Sequence, residues 1–288
     1  MIKFSVIVPV YNHWHLVPKL LKGMEMQELA SDQFELILID NGSDGIPTDL
    51  EMPVWCVLIE CETPGSYAAR NAGIGVARGH LLAFTDADCV PTPQWLSTAW
   101  KSWSKMQSRS LLAGGVSVEP ADWNTMSVSE MYDVVLGLPQ QRYVRNGYAV
   151  TANLLIPRLA FEEVGLFDSG RFSGGDADFC RRATARGWFL GYCDDVRVRH
   201  PARQKLEELS TKQRRVVGGQ LRSGPLCRRL KYGIAFMLPP MRAWLMTLRS
   251  KRLSLKQRVI VCSVVAYLKL VGLVEMLRLL LGGMPERR

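Results

Sequence analysis

Short apolar runs alternate with segments of helical spacing along the first hundred residues. The four runs are rich in Val, Ile, Leu and Phe, as strands are, and cover residues 4–10, 34–39, 54–60 and 81–84. Segments compatible with helices cover residues 15–29, 66–77 and 93–106. Because strands joined by helices usually pair in parallel, this pattern predicts an α/β fold with a mixed, mostly parallel sheet and helices on both faces.

The pattern loosens after residue 110. Apolar runs at residues 111–118 and 149–156 and helical segments at residues 126–138 and 175–186 continue it. From residue 205 on the spacing is helical throughout, and Pro225, Pro239 and Pro240 predict breaks. We therefore expect a helical C-terminal extension.

The last helical segment, residues 255–281, contains the apolar stretch 259–268. A bilayer span needs about 20 apolar residues, so this stretch alone is too short. Lys269, Glu275 and Arg278 follow it and do not share one narrow face, so a clean amphipathic helix is not indicated either. Three alternatives stay open, namely a helix at a membrane interface, a buried or oligomerising helix, and a true span.

The charge of the chain is distributed unevenly. Residues 1–195 contain 15 Lys and Arg against 23 Asp and Glu, whereas residues 196–288 contain 21 against 4, and the whole chain has a net charge of +9. This indicates an acidic body and a basic tail that seeks an anionic surface, either nucleic acid or anionic lipid. The tail has few aromatic residues interleaved with its cations, so we expect a membrane surface and no nucleic acid.

Composition excludes several protein classes. With 48% hydrophobic and 22% charged residues the chain is neither disordered nor fibrous. Its seven cysteines form no C-x-x-C pair, which excludes a zinc ribbon and a disulfide framework and indicates a reducing, cytosolic setting. The first strand is followed by residues 9–14 without a G-x-G-x-x-G motif, so a dinucleotide-dependent oxidoreductase is excluded as well.

Polar residues follow three of the predicted strands, at residues 9–12, 40–44 and 85–88. In parallel sheets ligands bind beyond the carboxyl ends of the strands, so these segments mark a ligand site. Asp86 and Asp88 would suit a hard cation such as Mg²⁺ or Mn²⁺ that also contacts substrate phosphates. A polar turn that caps the next helix is the alternative.

Five segments, in this order, resemble the family 2 glycosyltransferases: residues 6–12 (VIVPVYN), 39–43 (IDNGS), 65–73 (GSYAARNAG), 86–88 (DAD) and 174–182 (GGDADFCRR). The resemblance covers about residues 3–203. It implies a Rossmann-like GT-A fold, a nucleotide-sugar donor, a divalent metal and an inverting reaction. Residues 1–203 would then form the transferase domain, with a nucleotide-binding half (1–110) and an acceptor-binding half (111–203), followed by the basic helical region 204–288.

The resemblance also implies roles near the leaving diphosphate. Asp88 corresponds to the metal-binding aspartate, and Asp86 to a residue that contacts the ribose as well as the metal. His200, after the last strand of the domain, would complete the metal site, since imidazole is a competent ligand for Mn²⁺. Arg203, three residues later, could reach phosphate.

For the nucleoside, the family has a backbone and aromatic contact where this chain has Pro9, Val10 and Tyr11, and Tyr11 could stack on the base. Asp40 resembles the family's base-binding carboxylate. Arg70 would contact the diphosphate or the base edge.

The acceptor hydroxyl must lose a proton, so a carboxylate has to act as general base. The family motif usually has Glu-Asp with the Asp as base, and here Gly175 replaces the Glu while Asp176 keeps its place. Asp178 is the competitor, although in the first turn of a helix it would also serve as a stabiliser.

These observations predict a membrane-associated, metal-dependent, inverting glycosyltransferase, cytoplasmic and peripheral on the inner face of the cell membrane. The expected donor is a UDP-sugar and the expected acceptor a glycan or lipid-linked hydroxyl, in polysaccharide or glycolipid synthesis. Two alternatives remain, a non-catalytic nucleotide-sugar or glycan-binding member of the same fold and a nucleic-acid-binding protein that uses the basic tail.

Overall fold

A computed structural model describes residues 1–171, 173–222 and 226–284. The chain divides into two compact units. The first consists of Met1–Ser117, Pro139–Gly170 and Gly175–His200, and the second of Val118–Leu138, Arg171–Gly174 and Pro201–Arg288. The division into a transferase domain (1–203) and a basic helical region (204–288) stays a prediction.

An eight-stranded sheet is the centre of the first unit. Its strands are β1 (Phe4–Val10), β2 (Phe34–Asp40), β3 (Cys56–Glu60), β4 (Leu81–Phe84), β5 (Val90–Pro91), β6 (Ser110–Glu119), β7 (Leu154–Pro157) and β8 (Phe189–Pro201), in the order β3-β2-β1-β4-β7-β6-β8-β5. The pairs β2–β3, β1–β2 and β1–β4 are parallel, and β4–β7, β6–β7 and β5–β8 are antiparallel. The predicted mixed, mostly parallel sheet with helices is confirmed.

Eleven helices are described in the two units. The first unit contains α1 (Val17–Glu25), α2 (Ser66–Val76), α3 (Trp95–Trp103), α5 (Gln140–Arg145), α6 (Arg158–Val164) and α7 (Gly175–Ala185). The second contains α4 (Val128–Leu136), α8 (Leu206–Arg222), α9 (Leu226–Met237), α10 (Met241–Leu248) and α11 (Leu255–Leu280). Three-residue 3₁₀ helices precede α1, β2 and β7.

The register of β1 and β2 determines where the loops after the two strands begin. Val10 lies opposite Asp40 at the last position of both strands, and the amide of Asn41 donates to the carbonyl of Val10 at 2.8 Å. Helix α2 packs closely on these strands, because a Cβ at Gly73 would lie 2.8 Å from Ile7 and 2.9 Å from Ile39. Only glycine permits this approach, which in turn fixes the side chains that α2 presents to the site.

The second unit is built around α11. This helix contacts α4, α8, α9 and α10. Two small apolar clusters hold it, one with Leu209, Val264 and Leu268 and the other around Val217 and Met276. The inner side of α11 is therefore a core element.

Most predicted elements are confirmed, with shorter helices than expected. The helix predicted over residues 15–29 spans only Val17–Glu25. The break at Pro239 and Pro240 is observed, since α9 ends at Met237 and α10 begins at Met241. The predicted break at Pro225 lies outside the described residues. Strand β5 and helices α5 and α6 have no counterpart in the sequence-based expectation.

By length and composition alone, α11 could cross a membrane, and no other described helix could. The apolar sequence of α11 continues on both sides of Lys269, whereas the sequence pattern suggests that the apolar stretch ends there. However, 39% of the apolar 18-residue segment of α11 is buried inside the protein. A core helix meets the same criterion of length and composition.

Candidate active site

The loops after β1 and β2 are joined by side-chain hydrogen bonds. Asn12 has a positive φ of 55°, which asparagine tolerates better than most residues. Its amide donates to Oγ of Ser43 at 2.9 Å, and its side chain exchanges two hydrogen bonds with Asp44 at 2.8 and 2.9 Å. These bonds fix the loops where Pro9, Val10 and the half-buried Tyr11 were predicted to meet the nucleoside.

Asp40 is buried at the end of β2 and is itself bound by the protein. Trp14 donates from Nε1 to Oδ1 at 2.9 Å, and the amides of Gly42 and Ser43 donate to Oδ2 at 3.0 and 3.1 Å. Burial raises the pKa of Asp40, but hydrogen bonds from Ser43, Trp14 and Gly42 outweigh it and hold that pKa below its usual value. Asp40 is therefore an ionised carboxylate with part of its acceptor capacity already in use.

Arg70 is buried on α2 and pairs with the first aspartate of the Asp-Ala-Asp segment. Its Nη2 donates to Oδ1 of Asp86 at 2.6 Å, and its Nη1 donates to the carbonyl of Ser66 at 3.3 Å. Its Nε is buried without a hydrogen-bond partner among the described residues. A buried guanidinium with an unpaired donor is an unusual and costly arrangement unless a ligand completes it.

The second aspartate of the segment meets His200. Oδ2 of Asp88 lies 3.4 Å from Nε2 of His200, which is buried at the end of β8. The Cys89 thiol joins them, and the three ligand atoms lie within 4.8 Å of one another. Burial, and after it the charges of Asp88 and Asp86, raises the pKa of Cys89 well above its usual value, so the thiol remains protonated. Carboxylate and imidazole suit Mn²⁺, so these residues fit the cation that the resemblance implies.

Asp176 begins α7 and is almost completely buried. Its Oδ1 accepts from the amide of Ala177 at 2.8 Å and from the hydroxyl of Tyr67 at 3.2 Å, and its Oδ2 accepts from the amide of Thr151 at 3.4 Å. Burial raises the pKa of Asp176, although these hydrogen bonds and the charge of Arg70 act in the opposite direction. A carboxylate with a raised pKa is a better proton acceptor than an exposed one.

Asp178 has a structural partner instead. Its Oδ2 accepts from Nε of Arg182 at 2.9 Å, one helical turn further along α7. Arg182 also donates to the carbonyls of Val164 and Leu166 at 2.7 and 2.8 Å. Asp178 therefore orients an arginine that joins α7 to the end of α6.

Arg203 belongs to the second unit, where Asp133 of α4 holds it. The carboxylate oxygen Oδ2 of Asp133 accepts from Nη1 of Arg203 at 2.9 Å and from its amide at 3.1 Å. Arg203 was predicted to contact phosphate. In the structure its guanidinium already pairs with the carboxylate of Asp133.

The structure connects several of the predicted site residues in the first unit. Arg70 bonds to Asp86 and acts electrostatically on Asp176, and Asp88 lies beside His200. Sequence reasoning missed Trp14, Tyr67 and Cys89. Cys89 could have been noticed because it follows Asp88 directly, and Tyr67 because it lies in the motif that contains Arg70.

Residues 5–165 match the family described as Glycosyl transferase family 2. The glycosyltransferase AglE of Haloferax volcanii is 35% identical over 224 residues, which are 75% of this chain and 72% of AglE. The chain belongs to glycosyltransferase family 2. It is a nucleotide-sugar glycosyltransferase, as the sequence motifs predicted.

Solved structures show the fold of this glycosyltransferase. The mannosyltransferase PcManGT of Pyrobaculum calidifontis, in complex with GDP-Man and Mn²⁺, superposes with a TM-score of 0.62 at 19% identity and covers 96% of this chain and 87% of its own. TarS residues 1–349 of S. aureus, in complex with UDP-GlcNAc, superposes with a TM-score of 0.55 at 15% identity and covers 98% and 93%. The predicted GT-A fold is confirmed.

Proposed function

We propose that this glycosyltransferase moves a sugar, with inversion, from a nucleoside diphosphate to a hydroxyl of a glycan or lipid-linked acceptor, in polysaccharide or glycolipid synthesis. The observation that carries the proposal is the buried Arg70. Its guanidinium pairs with Asp86, and its charge opposes the rise that burial causes in the pKa of Asp176. Its Nε has no hydrogen-bond partner among the described residues. A diphosphate or ribose oxygen bound beside this guanidinium would be attracted by its charge.

For the donor, Tyr11 would stack on the base, and the backbone of Pro9 and Val10 and the carboxylate of Asp40 would contact it. The hydrogen bonds from Trp14, Gly42 and Ser43 hold the Asp40 carboxylate in place for this contact. A UDP-sugar is the expected donor. TarS with UDP-GlcNAc supports this choice, while PcManGT with GDP-Man supports a guanine nucleotide, so both must be tested.

Asp88 and His200 would hold the divalent cation, Mn²⁺ or Mg²⁺, with Asp86 as a third ligand. The proximity of Asp88 and His200 and the presence of Mn²⁺ in the PcManGT complex support this assignment. A nitrogen ligand favours Mn²⁺ over Mg²⁺. When bound, the cation would neutralise the charge that develops on the leaving diphosphate.

Asp176 would act as general base. As the acceptor oxygen bonds to the anomeric carbon, its proton passes to the Asp176 carboxylate, and the bond from the sugar to the nucleoside diphosphate breaks. Arg70 would stabilise the departing charge. The pairing of Asp178 with Arg182 supports Asp176 as the base.

Nucleotide binding tests the donor and the metal together. Titration calorimetry of UDP and of GDP, each with Mn²⁺ and with EDTA, should show much tighter binding of one nucleotide with the metal. Asp88→Asn should abolish the difference that EDTA makes. Asp194→Asn, a carboxylate of the same unit that pairs with Arg197, is the control. Equal affinities with Mn²⁺ and EDTA in the unaltered protein would contradict a metal-dependent donor site.

The second unit would bring the enzyme to an anionic membrane surface at the cytosolic side. Helices α9 and α10 expose an apolar surface formed by Leu230, Ile234, Met237, Met241, Leu245 and Leu248. Four exposed cations that form no ion pair within the described chain lie close together in sequence, namely Arg249, Lys251 and Arg252 in the turn after α10 and Lys256 in the first turn of α11. Exposed apolar area beside unpaired cations suits the interface of a bilayer that contains anionic lipids.

Vesicle flotation of the full chain tests this surface. The protein should float with vesicles of phosphatidylcholine and phosphatidylglycerol but not with phosphatidylcholine alone. Ile234→Ser combined with Leu245→Ser should weaken binding, because both side chains are exposed and their loss leaves the unit's core intact. Flotation unchanged by this pair would contradict the assigned surface, and a stable dimer without flotation would identify a second copy as its partner.

A further inference from the structure

Gly175 is the position at which this chain departs from the Glu-Asp pattern of its family. A Cβ at Gly175 would lie only 2.8 to 2.9 Å from three ring atoms of Tyr67. Real Cβ atoms do not approach that closely, so the ring occupies the space that a side chain at position 175 would need. Tyr67 comes from α2 and is buried. The missing side chain is thus exchanged for an aromatic ring from another part of the sequence.

The Tyr67 hydroxyl also determines which oxygen of Asp176 remains available. Each carboxylate oxygen has two lone pairs. Oδ1 uses both, since it accepts from the Tyr67 hydroxyl at 3.2 Å and from the amide of Ala177 at 2.8 Å. Within the described part of the chain, Oδ2 receives one long contact, from the amide of Thr151 at 3.4 Å. Oδ2 can therefore accept another proton or hydrogen bond.

Tyr67 can only donate to Asp176. Burial raises the pKa of Tyr67 far above its usual value, and the charge of Asp176 raises it further. The phenol therefore keeps its proton throughout the range in which enzymes work, and the hydrogen bond is to the ionised carboxylate.

We propose that Tyr67 is the positioning residue of the general base: its ring replaces the side chain absent at Gly175, and its hydroxyl holds Oδ1 of Asp176 so that Oδ2 receives the acceptor's proton. This inference rests on the proposed function of Asp176. In the step, the acceptor O–H bond breaks and its proton goes to Oδ2. The oxygen bonds to the anomeric carbon, and the electron pair of the broken glycosyl bond leaves with the diphosphate.

Four other titratable or charged groups face Asp176 or act on it: Tyr67 and Arg70 from α2, Tyr148 from the segment before β7, and Cys180 from α7. Among the residues that the structure describes, only Tyr67 donates a side-chain hydrogen bond to the carboxylate. A hydrogen bond to an ionised carboxylate favours the charged form. Removing the Tyr67 hydroxyl should therefore raise the pKa of Asp176, while Arg70 and the burial stay in place.

The first experiment needs no substrate. The free energy of unfolding of the full chain is measured by denaturant titration from about pH 4 to about pH 8, for the unaltered protein and for Asp176→Asn. The difference between the two titrates with the native pKa of Asp176. The same pair is then measured with Tyr67→Phe added, and the midpoint should move upward by about one pH unit.

The second experiment measures activity with Mn²⁺ and UDP-GlcNAc or GDP-Man, as release of the nucleoside diphosphate with water as acceptor. The acid limb of the kcat profile of Tyr67→Phe should move upward by the same amount, the donor KM should not change, and the defect should shrink at higher pH. Gly175→Ala should have the same effect, because the new methyl group displaces the ring.

Tyr192→Phe is the matched control, since its hydroxyl donates to Asp194 at 2.6 Å elsewhere in the same unit. It should move neither the stability midpoint nor the acid limb. If Tyr67→Phe leaves the midpoint where it is, Tyr67 is a packing residue and the inference is wrong. If instead Asp176→Asn retains full activity, the proposed base is wrong, whatever Tyr67 does to the midpoint.

Discussion

The two units of this glycosyltransferase differ in the surroundings of their polar and apolar side chains. In the first unit, several buried polar groups are fixed by hydrogen bonds within the protein, although Nε of Arg70 has no such partner among the described residues. Asn153 is completely buried, donates to the carbonyls of Gly115 and Val196 at 2.8 and 2.7 Å, and accepts from Trp95 at 2.9 Å. Asp40 and Asp176 each accept three hydrogen bonds. Such networks hold side chains in one geometry.

The second unit instead exposes large apolar side chains on its surface. Helix α11 buries Val264, Leu268 and Met276 on one side, yet Leu270 and Val274 on the other are more than half exposed. Residues 226–284 carry eleven Lys and Arg against a single Glu, Glu275, and that Glu is buried and paired with Arg278.

Under the proposed function, the first unit carries out catalysis and the second unit attaches the enzyme to a membrane. A transfer reaction requires groups fixed to fractions of an ångström, which the first unit provides through hydrogen bonds between its loops and helices. Attachment to a fluid surface would require area and charge but no exact geometry, and this is the role proposed for the second unit. Substitutions in the two units should therefore have different consequences, and the following experiments would show where that expectation fails.

The largest effect is expected at Asp176. Asp176→Asn keeps the size of the side chain but cannot accept the proton, so sugar transfer should fall by about 10² to 10⁴ while donor affinity stays nearly the same. Asp178→Asn should cost about 1 kcal/mol of stability and little rate, because that carboxylate pairs with Arg182. The readouts are kcat and nucleotide affinity for both variants. An inactive Asp178→Asn beside an active Asp176→Asn would reverse the assignment.

The two sides of α11 provide a comparison within one helix. Leu268 is 4% exposed and packs with Leu209 and Val264, whereas Leu270 is 59% exposed. Leu268→Ala should lower the free energy of unfolding by about 2 to 5 kcal/mol, and Leu270→Ala by about 0.5 kcal/mol or less. Denaturant unfolding of both variants measures this. Equal losses would mean that the outer side of α11 is also covered by protein.

The cations of the turn after α10 should act on membrane affinity alone. Each cation near an anionic surface contributes about 1 kcal/mol, so Lys251→Gln with Arg252→Gln should weaken binding to anionic vesicles by about thirty-fold at low salt. Lys101→Gln with Lys105→Gln, two exposed cations of the first unit, should have little effect. Flotation at low and high salt distinguishes the two pairs, and a loss that does not depend on salt would contradict an electrostatic contact.

The sequence predicted the parts of this molecule that depend on local pattern. The strands β1, β2 and β4 follow from their apolar runs, and the position of Asp40, Asp86 and Asp88 follows because parallel strands end at one edge of the sheet. His200 and Asp88 are separated widely in sequence, and only the family resemblance suggested that they meet.

What could not be predicted depends on distances between elements. Nothing in the spacing of α2 shows that Tyr67, rather than a neighbour, reaches Asp176 and excludes a side chain at Gly175. Trp14 and Asp40 are joined by a loop geometry that periodicity does not encode. The two sides of α11 are both apolar, so the sequence could not say which of them is buried.

The smallest effect concerns a buried carboxylate with a purely structural role, Glu35. It accepts from the Ser5 hydroxyl at 2.6 Å and from the amide and Nε of Arg78 at 2.6 and 2.7 Å. Burial raises the pKa of Glu35, but these hydrogen bonds, led by that of Ser5, prevail and lower it. A lowered native pKa means that the unfolded chain binds a proton first as the pH falls, so Glu35 stabilises the fold above about pH 4.3 and loses this effect below it.

Glu35→Gln should therefore lower the free energy of unfolding by about 1 to 2 kcal/mol at neutral pH, and the loss should shrink as the pH falls through the native pKa of Glu35. Asp176→Asn should do the opposite, because the native pKa of Asp176 is raised, so ionisation of the unaltered carboxylate destabilises the fold as the pH rises. Denaturant unfolding between about pH 3 and about pH 7 measures both, with the exposed Glu51→Gln as control. If both substitutions lowered stability at neutral pH, the site carboxylate would be as well stabilised as the structural one, and the distinction between them would be lost.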